Sequence, residues 1–173
     1  MTSNVSGGAR ILGSLRAEDG NGVVRIEDRF DTDVDDLWSA LTDPTRLARW
    51  IGDVDGDLRI GGKFRAHFFA SGWEGTGKVE ACEPPRRLRV TTKDPSLAYE
   101  ETIEATLAHE GNQTILVVEE RGMPVDQLAG YGAGVQIHVE DLRDHIAGRE
   151  RNASDARWDD LLPAYRELLA KIS

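Results

Sequence analysis

Hydrophobic and polar residues alternate along much of the chain, with the period of two that is typical of half-buried β-strands. The first alternating segment covers residues 22–30 and places Val24, Ile26 and Phe30 on one face. The clearest alternation lies in residues 73–82, and similar segments occupy residues 63–69, 87–92, 99–107 and 114–121. Short turns join these segments, so we expect successive strands to pair in antiparallel order.

Other segments show the three-to-four-residue spacing of an amphipathic helix. Asp33 is a good N-cap for a short helix, and Asp43-Pro44 begins a second one. A long helix is predicted near residues 127–147, where apolar side chains recur at helical intervals. Ser154 caps a final predicted helix, which contains Pro163 and should therefore be kinked.

The order of these elements predicts an α+β domain. One strand comes first, two short helices follow, and the rest of a sheet of about six to seven strands precedes the long helix. A curved antiparallel sheet with one apolar face needs an element that covers that face, and only the long helix has the length to do so. We expect one domain over residues 21–173, with residues 148–173 as an additional C-terminal helix and residues 1–20 as a flexible N-terminal tail.

Several short motifs in a fixed order narrow the fold further. They are the helix–proline–helix segment over residues 36–50, the Gly61-Gly62 turn before an aromatic strand, and residues 74–79 and 83–88. Together they resemble the START-like, or SRPBCC, superfamily with its helix-grip fold. Within it they look most like the small bacterial stand-alone homologues of the activator of heat-shock-protein-90 ATPase. The resemblance spans residues 22–148.

The chain departs from that family in two places. The family often has Gly-Trp at the start of the long helix, where this chain has Gly134-Val135. The loss of an indole there would either enlarge a cavity or be compensated by repacking. Residues 154–172 extend past the usual end of the family, and the surface on which they pack is not evident from the sequence.

Composition and charge exclude several classes of function. The chain has 173 residues, with 31 acidic and 21 basic side chains and a net charge of −10. This balance argues against binding to nucleic acid or to anionic membranes. No apolar run is long enough to span a membrane and no secretory signal is visible, so we expect a cytoplasmic protein. Cys82 is the only cysteine, which excludes an intrachain disulfide.

No cofactor or metal site is expected from the histidines. His138 and His145 lie seven residues apart, whereas paired zinc ligands on a helix usually lie three or four apart.

A cavity between the sheet and the long helix is the candidate site, because a sheet that wraps a helix commonly leaves such a space. Its predicted lining is Phe64, Phe68, Trp73, Glu101, Tyr131, Val135 and His138. The alternative is that these side chains fill the core completely. Gly75 and Gly77 on the same strand face favour some empty space, although they would equally let the sheet bend.

Two of these residues, His138 and Glu101, can be interpreted in more than one way. His138 is either a core histidine hydrogen-bonded to a neighbour or a polar contact for a ligand. Glu101 shares a strand face with Tyr99 and Ile103. A buried carboxylate needs a partner, such as an arginine or His138, unless the strand register is shifted by one and Glu101 faces water.

Three functions follow, of which we favour the first. The superfamily resemblance implies binding of a small, mainly hydrophobic molecule in the cavity. An interaction protein of the chaperone-activator type is the second hypothesis. A cyclase- or hydrolase-like enzyme is the third, and it requires at least two titratable groups that converge in the cavity with shifted pKa values. A monomer and a homodimer are both compatible with the sequence.

Overall fold

Eight strands form one antiparallel sheet in the computed structural model, which describes residues 10–151 and 155–172. The strands are β1 (Gly13–Glu18), β2 (Asn21–Phe30), β3 (Gly52–Gly56), β4 (Lys63–Phe68), β5 (Glu74–Glu83), β6 (Arg87–Lys93), β7 (Glu100–Glu110) and β8 (Gln113–Pro124). Their order across the sheet is β1-β2-β8-β7-β6-β5-β4-β3. Every neighbouring pair is antiparallel, as the short turns predict.

Four α-helices accompany the sheet, namely α1 (Val34–Thr42), α2 (Pro44–Trp50), α3 (Leu128–Ile146) and α4 (Asp155–Ala170), and a 3-10 turn over Val125–Gln127 precedes α3. The predicted caps of the two short helices are confirmed. Asp33 accepts a hydrogen bond from the Asp36 backbone N–H at 2.8 Å, and Asp43 accepts one from the Thr45 backbone N–H at 2.9 Å. These bonds satisfy backbone donors that the first helical turn leaves without partners.

The α+β helix-grip fold predicted from the sequence is confirmed, because the curved sheet wraps the long helix α3. Val24, Ile26 and Phe30 of β2 lie in one buried cluster with Val135 and Leu142 of α3. The alternation that predicted β2 therefore reflects real burial against the helix.

The N-terminal boundary was predicted wrongly in part. Residues 13–18, placed within a flexible tail over residues 1–20, form the edge strand β1 along β2. Backbone pairing of an edge strand needs no strict side-chain alternation, which is why the pattern did not indicate it. Residues 1–9 and the predicted cap Ser154 lie outside the described residues.

With β3 included, the sheet has eight strands rather than the six to seven that were expected. The sequence of β3, Gly-Asp-Val-Asp-Gly, carries a single apolar residue. It is held by the backbone register to β4. A Cβ at Gly52 would lie 2.0 Å from the carbonyl oxygen of His67, so this close approach of two backbones requires glycine.

The helix α4 packs on α3 and also contacts the N-terminal segment. Leu161 and Tyr165 share a buried cluster with α3, and Tyr165 donates a hydrogen bond to Gln136 Oε1 at 2.6 Å. Gln136 Oε1 also accepts from Leu12 N at 3.1 Å, and Gln136 Nε2 donates to the Arg10 carbonyl oxygen at 2.6 Å. One buried amide thus links the chain before β1, α3 and α4.

Candidate functional site

A cavity of about 1090 Å³ lies between the inner face of the sheet, α3 and α4. Its walls are mainly apolar and come from strands β3 to β8 and from the helices α1 to α4. Residues that are exposed and also line the cavity mark its mouth: Ser71, Gly72, Glu74, Asp126, Gln127, Gly130 and Arg166. The cavity is therefore open to solvent at one end of α3.

All seven residues predicted from the sequence line this cavity: Phe64, Phe68, Trp73, Glu101, Tyr131, Val135 and His138. The Phe68 ring lies 5.0 Å from the Trp73 ring and meets the His138 ring edge-on at 5.2 Å. These rings form an aromatic wall, and contacts of this kind add to the stability gained from burial alone.

The two glycines of β5 do not create the empty space. A Cβ at Gly77 would lie 2.2 Å from the Phe64 ring, and a Cβ at Gly75 would lie 2.5 Å from the Trp73 ring. Each glycine therefore makes room for an aromatic side chain of the wall.

His138 is a neutral imidazole on the cavity wall. Its Nε2 atom is buried and has no hydrogen-bond partner among residues 10–151 and 155–172. Burial, and secondarily the positive charges of Arg151 and Arg157, lower the pKa of His138 to about 4.

Glu101 faces the cavity, so the strand register predicted from the alternation is the one that the structure has. The side chain is 5% exposed, and its Oε1 accepts a hydrogen bond from the Tyr131 hydroxyl at 2.7 Å. The Tyr131 hydroxyl also lies 2.8 Å from the Tyr99 hydroxyl, which has Gln127 Oε1 at 3.1 Å as its other contact. The partner of Glu101 is therefore Tyr131 rather than the arginine or His138 that we expected.

Glu120 on β8 is a second carboxyl at this point of the wall, and sequence reasoning did not single it out. It lines the cavity and is hydrogen-bonded to Glu101. The side chain is half-buried. Burial, together with the hydrogen bond and negative charge of Glu101, raises the pKa of Glu120 well above its usual range.

The two carboxyls hold one proton between them. A hydrogen bond between two carboxyl groups requires that one of them is protonated. Glu101 accepts from Tyr131, and the pKa of Glu120 is raised, so Glu120 is the one that carries the proton. The polar end of the cavity is thus a carboxylate with a carboxylic acid and a phenol as its donors.

The helix α4 supplies part of the cavity wall that the sequence did not predict. Trp158, Leu162 and Arg166 recur every four residues and line the cavity. A Cβ at Gly134 would lie 3.1 Å from the Trp158 ring. An indole from α4 therefore packs beside the position where the family often carries tryptophan, which agrees with the repacking alternative.

Two further properties of the described residues bear on function. No group of three or more His, Cys, Asp or Glu side chains converges there as a metal site would require. None of the helices in the same part of the chain is long and apolar enough to cross a membrane.

Comparison with known proteins agrees with the fold. The profile of the activator of Hsp90 ATPase homolog 1-like protein family matches residues 31–147. The crystal structure of CalU16 from Micromonospora echinospora is 28% identical, covering 92% of this chain and 96% of CalU16 with a TM-score of 0.76. No curated protein matches the chain.

Two other solved structures are similar over less of the chain. DynU16, described as a protein in the dynemicin biosynthetic locus, is 26% identical over 75% of this chain and 49% of its own, with a TM-score of 0.69. An HSP90 activator from Plasmodium falciparum is 21% identical over 60% of this chain and 74% of its own, with a TM-score of 0.52, and shares the fold.

Proposed function

The chain belongs to the family of activator of Hsp90 ATPase homolog 1-like proteins, and from this premise we propose that it binds a small, mainly apolar molecule in the cavity between the sheet and α3. The observation that carries the proposal is the cavity itself. Its volume of about 1090 Å³ suits a ligand of the size of a drug or cofactor, and its apolar walls carry a few converging polar groups.

The similar structures support this class of function. CalU16 matches the chain over nearly its full length, including the region beyond residue 147 that contributes α4 to the cavity wall. DynU16 is described as a protein of a biosynthetic locus, which is where a protein that handles a small molecule would be encoded.

The other two hypotheses predict different results. A chaperone-associated function rests on the family alone and requires a stable complex with a chaperone. An enzyme requires turnover of the bound molecule, and the paired carboxyls Glu101 and Glu120 are the titratable groups that it would use. Ligand binding without turnover and without a protein partner distinguishes our proposal from both.

Native mass spectrometry of protein purified from its natural source tests the proposal, with a thermal-shift screen of apolar and aromatic metabolites beside it. We expect a co-purifying small mass or a ligand-dependent rise in Tm, since a ligand that binds only the folded state stabilises it by about 2.7 kcal/mol at a hundredfold excess over Kd. The absence of both, across the whole panel, would overturn the proposal.

Two tryptophan substitutions on β7 test whether the ligand binds in the cavity. Ile103 lines the cavity, whereas its neighbour Thr102 lies on the opposite face of the strand and does not. We expect Ile103→Trp to remove the bound mass or the thermal shift because the indole occupies the cavity. Thr102→Trp is the matched control and should keep them. Equal binding by both variants would place the ligand elsewhere.

A further inference from the structure

We propose that the ligand carries a positively charged nitrogen on its apolar body and that this nitrogen binds between Glu101 and Glu120. The inference rests on the proposed function, because it names the chemical class that the same cavity takes. A protonated amine is the simplest such group.

The buried acids of the protein differ in one respect that points to a cation. Among the residues that the structure describes, three acidic side chains are almost wholly inaccessible, and two of them have their own arginine: Asp28 is paired with Arg143, and Asp141 with Arg157. Glu101 is the third. Within residues 10–151 and 155–172 no Lys, Arg or His lies within ion-pair distance of Glu101 or Glu120. A buried carboxylate that lacks an internal cation is costly, and here it faces a cavity.

The charge of the whole cavity favours the same class of ligand. Carboxyl groups reach it from β5, the loop after β6, β7, β8 and the turn before α3, and one arginine reaches it from α4. They are Glu74, Asp94, Glu101, Glu120, Asp126 and Arg166. Walls of low dielectric strengthen this negative field inside the cavity. An anionic ligand such as a fatty acid would be repelled, and a cation would be attracted.

The remaining titratable side chains of the wall do not oppose a cation. Tyr131 on α3 is a neutral phenol whose pKa is raised by burial and by its bonds to Tyr99 and Glu101. His138, also on α3, has a pKa lowered to about 4 and is neutral at physiological pH. Its Nε2 atom lacks a partner among the described residues. This imidazole therefore adds no positive charge to the cavity wall that would oppose a cation.

Binding of a cation should release the proton that the carboxyls share. In the free protein Glu120 is protonated because burial first, and then the hydrogen bond and negative charge of Glu101, raise its pKa. An ammonium group that donates to both carboxyls removes this repulsion and replaces the Glu120 O–H as donor, so the proton passes to solvent. Affinity should accordingly rise with pH through the range in which free Glu120 is protonated.

Matched ligands that differ only in the polar group test the inference by isothermal titration calorimetry. We would use decylamine, decanol and decanoate below their micelle concentrations, and naphthylmethylamine, naphthylmethanol and naphthoate as a second apolar body. We expect each amine to bind about tenfold or more tightly than its alcohol, with the carboxylate weakest. Titrations in phosphate and in Tris should show a proton released with the amines only.

Two variants assign the preference to the carboxyl pair. Glu120→Gln keeps a donor to Glu101 but has no proton to release, so the proton release with amines should disappear. Glu101→Gln combined with Glu120→Gln should abolish the preference for amines. Glu80→Gln, on the exposed face of β5, is the matched control and should behave as the wild type. Circular dichroism checks each fold, and the wild-type comparison decides the case if the double variant does not fold.

The results separate the two proposals. Alcohols or carboxylates that bind as tightly as amines, with no proton released, would overturn the inference and leave the ligand cavity supported. No binding by any of the six compounds would overturn the inference and count against the proposed function as well.

Discussion

At the scale of one residue, burial of the His138 imidazole affects how the stability of the protein depends on pH. Its pKa is lowered from 6.5 to about 4, with burial as the first cause. The unfolded chain therefore binds a proton between these values that the folded protein does not. His138 therefore contributes about 3 kcal/mol to the free energy of unfolding above pH 6.5, and this contribution is lost as the pH falls toward 4.

We expect His138→Phe to remove this part of the acid sensitivity. Urea unfolding at several values between pH 6.5 and pH 4 should give a smaller slope of the free energy of unfolding than in the wild type. Only the difference between the two proteins is informative, because carboxyl groups also titrate there. His109→Phe, at an exposed position on β7, is the control. An unchanged slope in His138→Phe would contradict the lowered pKa.

Two glycines of α3 should respond in opposite ways to the same substitution. A Cβ at Gly130 meets no atom within 4 Å, so Gly130→Ala should stabilise the protein by up to about 1 kcal/mol through helix propensity. A Cβ at Gly132 would lie 2.5 Å from the buried ring of Tyr165, so Gly132→Ala should destabilise it by about 1–3 kcal/mol. Thermal unfolding monitors both, and equal changes in Tm would refute this packing.

The positions of single side chains could be predicted from the sequence where they follow the period of a strand or helix. His138 and Glu101 lie on the cavity wall because each falls on the apolar face of its element. Glu120 obeys the same rule, since it follows Leu116 and Val118 at intervals of two, and this signal could have identified it. The partner of Glu101 was not predictable, because the pairing of Tyr131 with β7 depends on how α3 crosses the sheet.

At the scale of elements, periodic segments were predicted correctly and two edge strands were not. The strands β2 and β4 to β8 and the helices α1 to α3 all have one apolar face that packs against the core. The strands β1 and β3 lie at the two edges of the sheet and are held mainly by backbone pairing. Such pairing leaves little trace in the order of side chains.

The position of α4 depends on a buried ion pair that no periodic pattern reveals. Asp141 of α3 is 1% exposed and accepts hydrogen bonds from Arg157 at 2.7 Å and from Arg151 at 3.2 Å. Removal of one member of a buried pair leaves the other without its counter-charge, which is more costly than the pair is worth.

We therefore expect Asp141→Asn to destabilise the protein by about 3 kcal/mol and to increase hydrogen exchange in α4. Urea unfolding measures the first effect and mass-spectrometric hydrogen exchange the second. Asp159→Asn, at an exposed position on α4, should change neither. If Asp141→Asn left the exchange of α4 as slow as in the wild type, the ion pair would not be what holds this helix.

At the scale of the whole molecule, acidic side chains outnumber basic ones both in the full sequence and in the cavity. The net charge of −10 argues against anionic partners at the surface, and the charged side chains that line the cavity are also mostly acidic. The composition could indicate the first of these facts. The second depends on which carboxyls turn inward, and that is decided by the register of β7 and β8 together with the docking of α4.

The hydrogen bonds of Gln136 predict that the chain tolerates circular permutation. Through this amide the segment before β1 and the helix α4 are held beside each other on α3. A circular permutant that joins the two ends with a Gly-Ser linker and opens the chain at the exposed turn Gly111-Asn112 should therefore keep the same sheet order. Its circular dichroism spectrum should match that of the parent, and loss of cooperative unfolding would show that connectivity matters more than this contact.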